Sequence, residues 1–231
     1  MSALPHDLQE AASLAGQAYA QVKAMIFDFT LMPGDRFSET DIAQKLQLSR
    51  TPLRQALQRL AREGFLQVFP KLGWQVAPLD FDVIDELYDL RMLIECHAAQ
   101  LLAGQESRSA ELQALVDAWM VPVEQRLSDP VGVGTMDENF HAELVAGAGN
   151  REMTRVHQGL TDRIRIVRRL DFTKPARVAA TYDEHARILR AILRRRADEA
   201  QRLLRAHIEQ SKLEVRHITL EALHRARRGA P

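Results

Sequence analysis

The chain contains little cysteine, and it has no apolar run that is long enough to cross a membrane. Cys96 is the single cysteine among the 231 residues, so an internal disulfide is excluded. Chains without disulfides are typical of reducing compartments, and we therefore expect a cytoplasmic location. The first residues lack the basic flank and the long apolar core of a signal peptide. A membrane partner is not expected.

An excess of charge of one sign is also lacking, because 31 basic and 31 acidic residues give a formal net charge of zero. A protein that coats nucleic acid without sequence preference needs a strong positive field, so this class is not favoured. Any binding to nucleic acid has to come from a local basic patch. Apolar residues make up 46% of the chain, which is enough for one large or two modest folded domains.

Residues 38–76 have the element order of a winged helix-turn-helix. Ser38 and Asp41 form a predicted capping box at the start of a first helix. A second helix follows a short turn and begins after Ser49. A two-stranded ribbon over 65–76 completes the motif. The second helix has a predicted buried stripe at helical spacing, formed by Leu53, Ala56, Leu57 and Leu60.

The opposite face of the second helix is basic. Arg50 and Arg54 are four residues apart, so both side chains leave the helix on one face near its N-terminus. This end of a recognition helix reaches base edges in the major groove, where arginine pairs with guanine or clamps phosphates. A solvated basic face on an ordinary helix is the alternative, but it does not account for the flanking helix and ribbon. The predicted DNA contacts in this region are Ser49, Arg50, Thr51 and Arg54 on the helix, and Lys71 and Gly73 at the tip of the ribbon.

The remainder of the chain shows helical periodicity alone. A helix is also predicted before the winged motif, over 17–29, and the pattern changes at Pro78. Residues 129–134 are predicted to be a break, because they contain one proline and two glycines. Beyond Pro78 the predicted helices are 80–104, 108–127, 135–148, 150–170, one from about 175 to 195, and 197–225, which together form a bundle.

One carboxylate and three imidazoles are predicted to face the interior of this bundle. Asp137 and His141 lie four residues apart on one helix, and the neighbouring apolar residues mark that face as buried. His185 and His207 follow the apolar spacing of two later helices. Single inward histidines are usually satisfied core residues, but an inward aspartate is costly unless it is paired or bound to metal. The set predicts a divalent metal ion, either Zn, Ni, Mn or Fe.

Arginine residues near this interior are candidate contacts for an organic acid. Arg91 lies on the buried stripe of the first bundle helix, where it suits either a carboxylate ligand or an ion pair with Glu95. Arg163 and Arg165 on the fourth bundle helix are weaker candidates for the same role.

Several segments resemble the GntR family of bacterial transcription regulators, in its FadR-like branch with a helical FCD domain. The head segment is PGDRFSETDIAQKLQLSRTPLRQALQRLAREGFL, and the body segments are ELYDLRMLIE, DENFH, DEHARILRAI and AHI. The resemblance implies a mainly α fold, with an N-terminal winged helix-turn-helix and an antiparallel six-helix bundle. It also places Asp137, His141, His185 and His207 at the ligand positions of the metal-binding subgroup. Arg36 and Thr40 in the head segment join the predicted DNA contacts, although many relatives carry arginine at Thr40.

The resemblance further implies a homodimer, an operator with two-fold symmetry and a small carboxylate effector. The predicted function is a ligand-responsive transcription regulator rather than an enzyme. A metal-dependent enzyme acting on an organic acid, and a DNA-binding protein with a purely structural bundle, are the alternatives. The predicted parts are a flexible N-terminus at 1–16, the DNA-binding domain at 17–78, the ligand- and metal-binding, dimerising domain at 79–226, and a basic tail at 227–231.

Overall fold

The computed structural model describes residues 13–28, 30–171 and 175–216. This part of the chain divides into two compact units, with the boundary between Asp80 and Phe81. Most of the predicted flexible N-terminus, the basic tail and Phe29 lie outside the described residues. No described helix has the length and apolar character needed to cross a membrane.

The first unit contains three helices and a small sheet. Ser13 caps the first helix with its side chain, which accepts from the Gly16 amide at 3.0 Å, so this helix begins inside the stretch predicted to be flexible. The elements are α1 (Leu14–Phe27), β1 (Arg36–Phe37), α2 (Glu39–Leu46), α3 (Arg50–Arg62), β2 (Leu66–Phe69) and β3 (Gly73–Val76).

Helices α2 and α3 form the predicted helix-turn-helix. The capping box is confirmed, since the side chains of Ser38 and Asp41 each bond to the other's backbone amide. Ser49 occupies the N-cap position of α3, but its side chain makes no capping hydrogen bond. The predicted apolar stripe of α3 is confirmed as buried, and α1 packs against this helix.

The wing is a three-stranded antiparallel sheet in the order β1-β3-β2, whereas the sequence predicted two strands. Phe37 pairs with Trp74, and Val68 pairs with Trp74 from the other side. The added strand has only two residues, which is too short to show an alternating pattern in sequence. Gly73 begins β3 with φ +98°, and a Cβ there would lie 2.5 Å from the carbonyl oxygen of Phe37.

Six α-helices form the described part of the second unit, as the sequence predicted. Asp129 caps the third of them, accepting from the Gly132 amide at 2.7 Å, so the predicted break at 129–134 is wrong. The reason is that Asp-Pro is a good N-cap and first-turn pair. The helices are α4 (Phe81–Gly104), α5 (Ala110–Trp119), α6 (Pro130–Ala146), α7 (Arg151–Asp171), α8 (Pro175–Leu193) and α9 (Ala197–Arg216).

The bundle brings polar residues of four helices into its interior. Helix α9 packs along α4, and α6 packs on α7 and α4. Helix α5 ends at Trp119, shorter than the predicted 108–127, and the Trp119 ring is fully buried among aromatic residues. These contacts place buried positions of α6, α8 and α9 next to one another, with α4 alongside.

Candidate metal centre and DNA-binding surface

One carboxylate and three imidazoles meet inside the bundle. Asp137 and His141 on α6, His185 on α8 and His207 on α9 are all buried, and one candidate ligand atom from each lies within 4.8 Å of all the others. The Nε2 atom of His207 is 3.2 Å from that of His141 and 3.4 Å from that of His185. The Oδ1 atom of Asp137 is 3.3 Å from His185 Nε2.

Two of these imidazoles are oriented by hydrogen bonds from their Nδ1 atoms to carboxylates outside the cluster. Glu95 on α4 accepts a hydrogen bond from His141 Nδ1 at 2.5 Å, and Glu184 accepts one from His207 Nδ1 at 2.6 Å. Burial raises the pKa of Glu95, but the Arg91 guanidinium and His141 hold it well below the usual range. Because an ionised carboxylate only accepts, Nδ1 carries the proton on both rings. With Nδ1 holding the proton, Nε2 is the atom that each ring directs toward the centre, where it would be the metal-binding atom.

His185 is positioned by aromatic packing instead. Its ring stacks on Phe140 with centroids 3.6 Å apart and meets Trp119 edge to face at 4.2 Å. Its Nδ1 atom is buried and has no hydrogen-bond partner among the described residues. Burial, assisted by the nearby His207, lowers the pKa of His185 to about 3. The ring is therefore neutral at ordinary pH, as a metal ligand has to be.

Asp137 divides its two oxygens between different partners. Its Oδ2 atom accepts from the Arg168 guanidinium, whereas Oδ1 is buried without a hydrogen-bond partner among the described residues. Burial raises the pKa of Asp137, but Arg168 and the neighbouring imidazoles hold it well below the usual range. An ionised carboxylate oxygen thus points toward three imidazole nitrogens.

This donor set fits a divalent transition metal. Two Nε2 atoms that lie 3.2 Å apart and both lack a proton repel each other, and a metal cation between them removes that repulsion. Metal bonds of about 2.0–2.1 Å place neighbouring ligand atoms about 2.9–3.4 Å apart. The closest separations in the cluster, 3.2, 3.3 and 3.4 Å, fall in this range, and Asp137 Oδ1 lies farther from His141, at 3.7 Å. Nitrogen and carboxylate donors suit Zn, Ni, Mn or Fe.

The three arginines predicted to bind an organic acid have different surroundings. Arg91 is buried, and its Nε donates to Glu95 at 2.6 Å, so the ion pair weighed in the sequence is formed. Arg165 is half-buried and pairs with Glu138. Arg163 is exposed. Their roles in ligand binding stay predictions, and Arg91 is the one next to the cluster.

The basic face of α3 is exposed, but one of its arginines is held in an ion pair. The Nη2 atom of Arg54 donates to Glu39 at 2.7 Å, and its Nε donates to both oxygens of the same carboxylate at 3.0 Å. The Trp74 indole also donates to Glu39 at 3.4 Å. The hydrogen bond from Arg54 lowers the pKa of Glu39. The pair thus joins the start of α2, the exposed face of α3 and the sheet.

The remaining predicted DNA contacts lie on α2, α3 and the wing. The guanidinium of Arg36 on β1 stacks over the Phe69 ring at 4.9 Å. Lys71 at the wing tip is exposed and has φ +67°. Arg59, beside the predicted set, is engaged with α1, because it stacks on Tyr19 at 4.1 Å. The other exposed members of the set are Thr40, Ser49, Arg50 and Thr51.

Both units match known bacterial regulator families. Residues 14–76 match the bacterial regulatory proteins of the gntR family, and residues 86–210 match the FCD domain. The chain belongs to the GntR family with a C-terminal FCD domain. Its DNA-binding winged helix and helical bundle are those of a transcription regulator.

Curated relatives of this GntR protein support the same assignment. The Nta operon transcriptional regulator of Aminobacter aminovorans is 32% identical over 188 residues, which cover 80% of this chain and 86% of the relative. The HTH-type transcriptional repressor RspR of Escherichia coli K12 is 25% identical, with 89% and 90% covered. The relatives are regulators of transcription rather than enzymes.

Solved structures share the fold. A GntR regulator from Rhodococcus sp. RHA1 superimposes with a TM-score of 0.71 at 22% identity, covering 89% of this chain and 98% of that one. The McbR/YncC protein of E. coli gives a TM-score of 0.69 at 21% identity, covering 88% and 97%. These levels of identity establish the fold alone.

The sequence did not identify the residues that orient the cluster. Glu95 was considered only as a partner of Arg91, yet it also bonds to His141 and to His157, the latter at 2.9 Å. Arg168 was not singled out, because it is one of many arginines in a basic stretch of α7. One sequence signal could have found both residues: each is charged but lies at a helical spacing that places it on the apolar, buried face of its helix.

Proposed function

We propose that this regulator binds a divalent metal ion at Asp137, His141, His185 and His207, and that a small carboxylate effector bound there modulates operator affinity. The observation that carries the proposal is the convergence of three Nε2 atoms and one carboxylate oxygen of Asp137, all within 4.8 Å of one another, in a buried site. The cation supplies a Lewis-acidic anchor for a carboxylate oxygen.

The protein residues set up this site. Glu95 and Glu184 hold the protons on Nδ1 of two ligands and so keep Nε2 available. Aromatic packing buries His185 completely. Arg91, buried beside the cluster, is the proposed contact for the effector's carboxylate. An effector shifts DNA binding only if it favours one arrangement of the protein over another.

At the DNA, we propose that a homodimer places two α3 helices in successive major-groove half-sites of a two-fold operator. Arg50 and Arg54 would contact base edges or phosphates, and the ion pair with Glu39 would fix the Arg54 guanidinium on this face beforehand. Lys71 and Gly73 at the wing tip, with Arg36, Thr40, Ser49 and Thr51, are the proposed backbone contacts.

Replacement of Arg54 tests the DNA surface. With an operator selected from random duplexes by the purified protein, Arg54→Ala is expected to weaken binding about 5- to 150-fold, as for the loss of a base contact. Affinity is measured by gel-shift titration at one fixed salt concentration. Arg155→Ala, on an exposed bundle position, is the matched control and should bind as the wild type does. Unchanged affinity in Arg54→Ala would remove Arg54 from recognition.

The effector hypothesis has its own test. Operator affinity is measured with metal-loaded protein, and again after addition of each of a panel of small carboxylates. A coupling of about 1–3 kcal/mol would change the affinity roughly 5- to 150-fold. An operator affinity that does not respond to metal or to any carboxylate would favour the purely structural bundle.

A further inference from the structure

The bundle contains two buried arginines whose hydrogen-bonding capacity is only partly used. Arg91 is 1% exposed and Arg168 is 6% exposed. Arg91 donates through Nε to Glu95, but its Nη1 and Nη2 atoms have no partner among the described residues. Arg168 donates through Nη2 to Asp137, and its Nη1 atom is likewise unpartnered. Buried guanidinium N–H groups without acceptors are costly, so such groups usually face a ligand or ordered water.

Both guanidinium groups are separated from the imidazole cluster by a single carboxylate. Glu95 accepts a hydrogen bond from Arg91 on one carboxylate oxygen and from His141 on the other. Asp137 accepts a hydrogen bond from Arg168 on Oδ2, and its Oδ1 points toward the imidazoles. In each case one carboxylate side chain connects the arginine, with its unpartnered N–H groups, to the proposed metal site.

A third unpartnered polar atom lies on the same helix as Arg168. Thr161 is 2% exposed, and its hydroxyl has no hydrogen-bond partner among the described residues. Thr161 and Arg168 are seven residues apart on α7, so they share one helix face. The bundle interior thus offers a hydroxyl and three guanidinium nitrogens, all suited to carboxylate oxygens.

The formal charges of the buried residues indicate how many negative charges a bound effector should carry. Arg91 and Arg168 contribute two positive charges, and Glu95 and Asp137 contribute two negative ones, so the four cancel. Arg165 forms ion pairs with both Glu138 and Asp162, and these three side chains are one-fifth to one-quarter exposed, so solvent compensates much of their charge. Glu184, which holds His207, is one-fifth exposed, so solvent compensates much of its charge. A divalent cation at the imidazoles then leaves two uncompensated positive charges in a buried region, which favours an anion of equal charge.

We propose that the effector is a dianionic organic acid, with one carboxylate directed to the metal and the other held by Arg168 together with Arg91. The inference rests on the proposed function, because it assumes an effector at the metal centre. It adds the charge class of that effector, and it adds Arg168 as a residue that determines specificity.

Diacids and monoacids of equal carbon number provide the test. Protein loaded with Zn²⁺, with its metal content measured by elemental analysis, is titrated calorimetrically with malonate against propionate and with succinate against butyrate. The diacid is expected to bind about 10- to 100-fold more tightly, as for added charge-assisted hydrogen bonds. Metal content is measured again afterwards, so that removal of zinc by the acid is detected. Equal affinity for both members of every pair would overturn the proposal.

Variants of Arg168 show whether this side chain provides the discrimination. Arg168→Gln is expected to lose most of the preference for diacids and to keep its zinc, whereas Arg168→Lys should retain part of the preference. Arg155→Gln, at an exposed position of the same helix, should behave as the wild type does. A folded Arg168→Gln protein that retains the full preference would overturn the role of Arg168. If Arg168→Gln does not fold, the affinities of the diacids and monoacids for the wild type and for Arg168→Lys still test the role of Arg168.

The outcomes separate this inference from the proposed function. If monoacids bind as tightly as diacids and shift operator affinity, the effector function stands and the dianion inference fails. If no acid of either charge binds to the zinc-loaded protein, both fail together, and the DNA-binding assignment is unaffected.

Discussion

At the scale of single residues, the orientation of the Asp137, His141, His185 and His207 cluster depends on side chains outside the cluster. Glu95 is fully buried and contacts Arg91, His141 and His157 at once. A carboxylate behind a ligand histidine fixes its tautomer and raises its basicity. The bundle therefore uses one acid to orient a ligand and to anchor a guanidinium.

Replacement of Glu95 by its isosteric amide tests this role. Glu95→Gln is expected to weaken zinc binding about 10- to 100-fold, because His141 loses its ionised acceptor. Affinity is measured by competition with a chromophoric chelator. Glu152→Gln is the matched control, since Glu152 is exposed on α7, where it pairs with Arg155. A folded Glu95→Gln protein with wild-type zinc affinity would contradict the role.

At the scale of elements, the wing depends on one glycine. Gly34 and Gly73 both have positive φ, +89° and +98°. A Cβ on Gly34 meets nothing within 4 Å, whereas one on Gly73 lies 2.5 Å from the Phe37 carbonyl oxygen, where β1 pairs with β3. Alanine at Gly34 therefore adds backbone strain alone, whereas alanine at Gly73 adds both backbone strain and steric overlap.

Alanine at each glycine is expected to destabilise the protein by different amounts. Gly34→Ala should lower the free energy of unfolding by about 1–2 kcal/mol, the cost of a left-handed residue with a Cβ. Gly73→Ala should exceed that by about 1–3 kcal/mol, because the added methyl overpacks the sheet. Urea unfolding followed by tryptophan fluorescence measures both. Equal destabilisation would mean that β1 moves away at little cost.

Helix α6 shows why the position of an element's start matters for the site. Its cap at Asp129 places Asp137 two turns into a regular helix, rather than in the first turn after a break. Asp137 and His141 are thereby held on a rigid backbone. The glycines at 132 and 134 misled the sequence prediction, because the capping aspartate outweighs the low helix propensity of glycine.

At the scale of the whole molecule, the proposed metal binding would be linked to stability. A cation that binds only the folded chain stabilises it by about 2.7 kcal/mol when its free concentration is 100 times Kd. Removal of the metal with EDTA is therefore expected to lower Tm in scanning calorimetry. The His185→Ala variant, which lacks one ligand, should melt at the same temperature with and without EDTA.

Two measurements complete this test. Elemental analysis of the wild type before and after chelation establishes that metal was present and was removed. A wild-type Tm that does not change on complete removal would count against a metal that contributes to folding.

The two-part organisation and most of the elements can be predicted from local sequence patterns. The capping box at Ser38, the apolar stripe of α3 and the six helical patterns are local features, and local propensity and periodicity report them directly. The inward register of Asp137, His141, His185 and His207 was also readable, because each lies among apolar residues at helical spacing.

The side chains that surround these four residues follow from packing between helices that are distant in sequence. The contact of Glu95 with His141 joins residues 46 positions apart, and that of Arg168 with Asp137 joins residues 31 apart. The Arg54–Glu39 pair and the two-residue strand β1 likewise depend on how helices and strands meet. Helical periodicity gives the direction of a side chain from its own helix, but its partner is set by packing between helices, and no local pattern in the sequence records that packing.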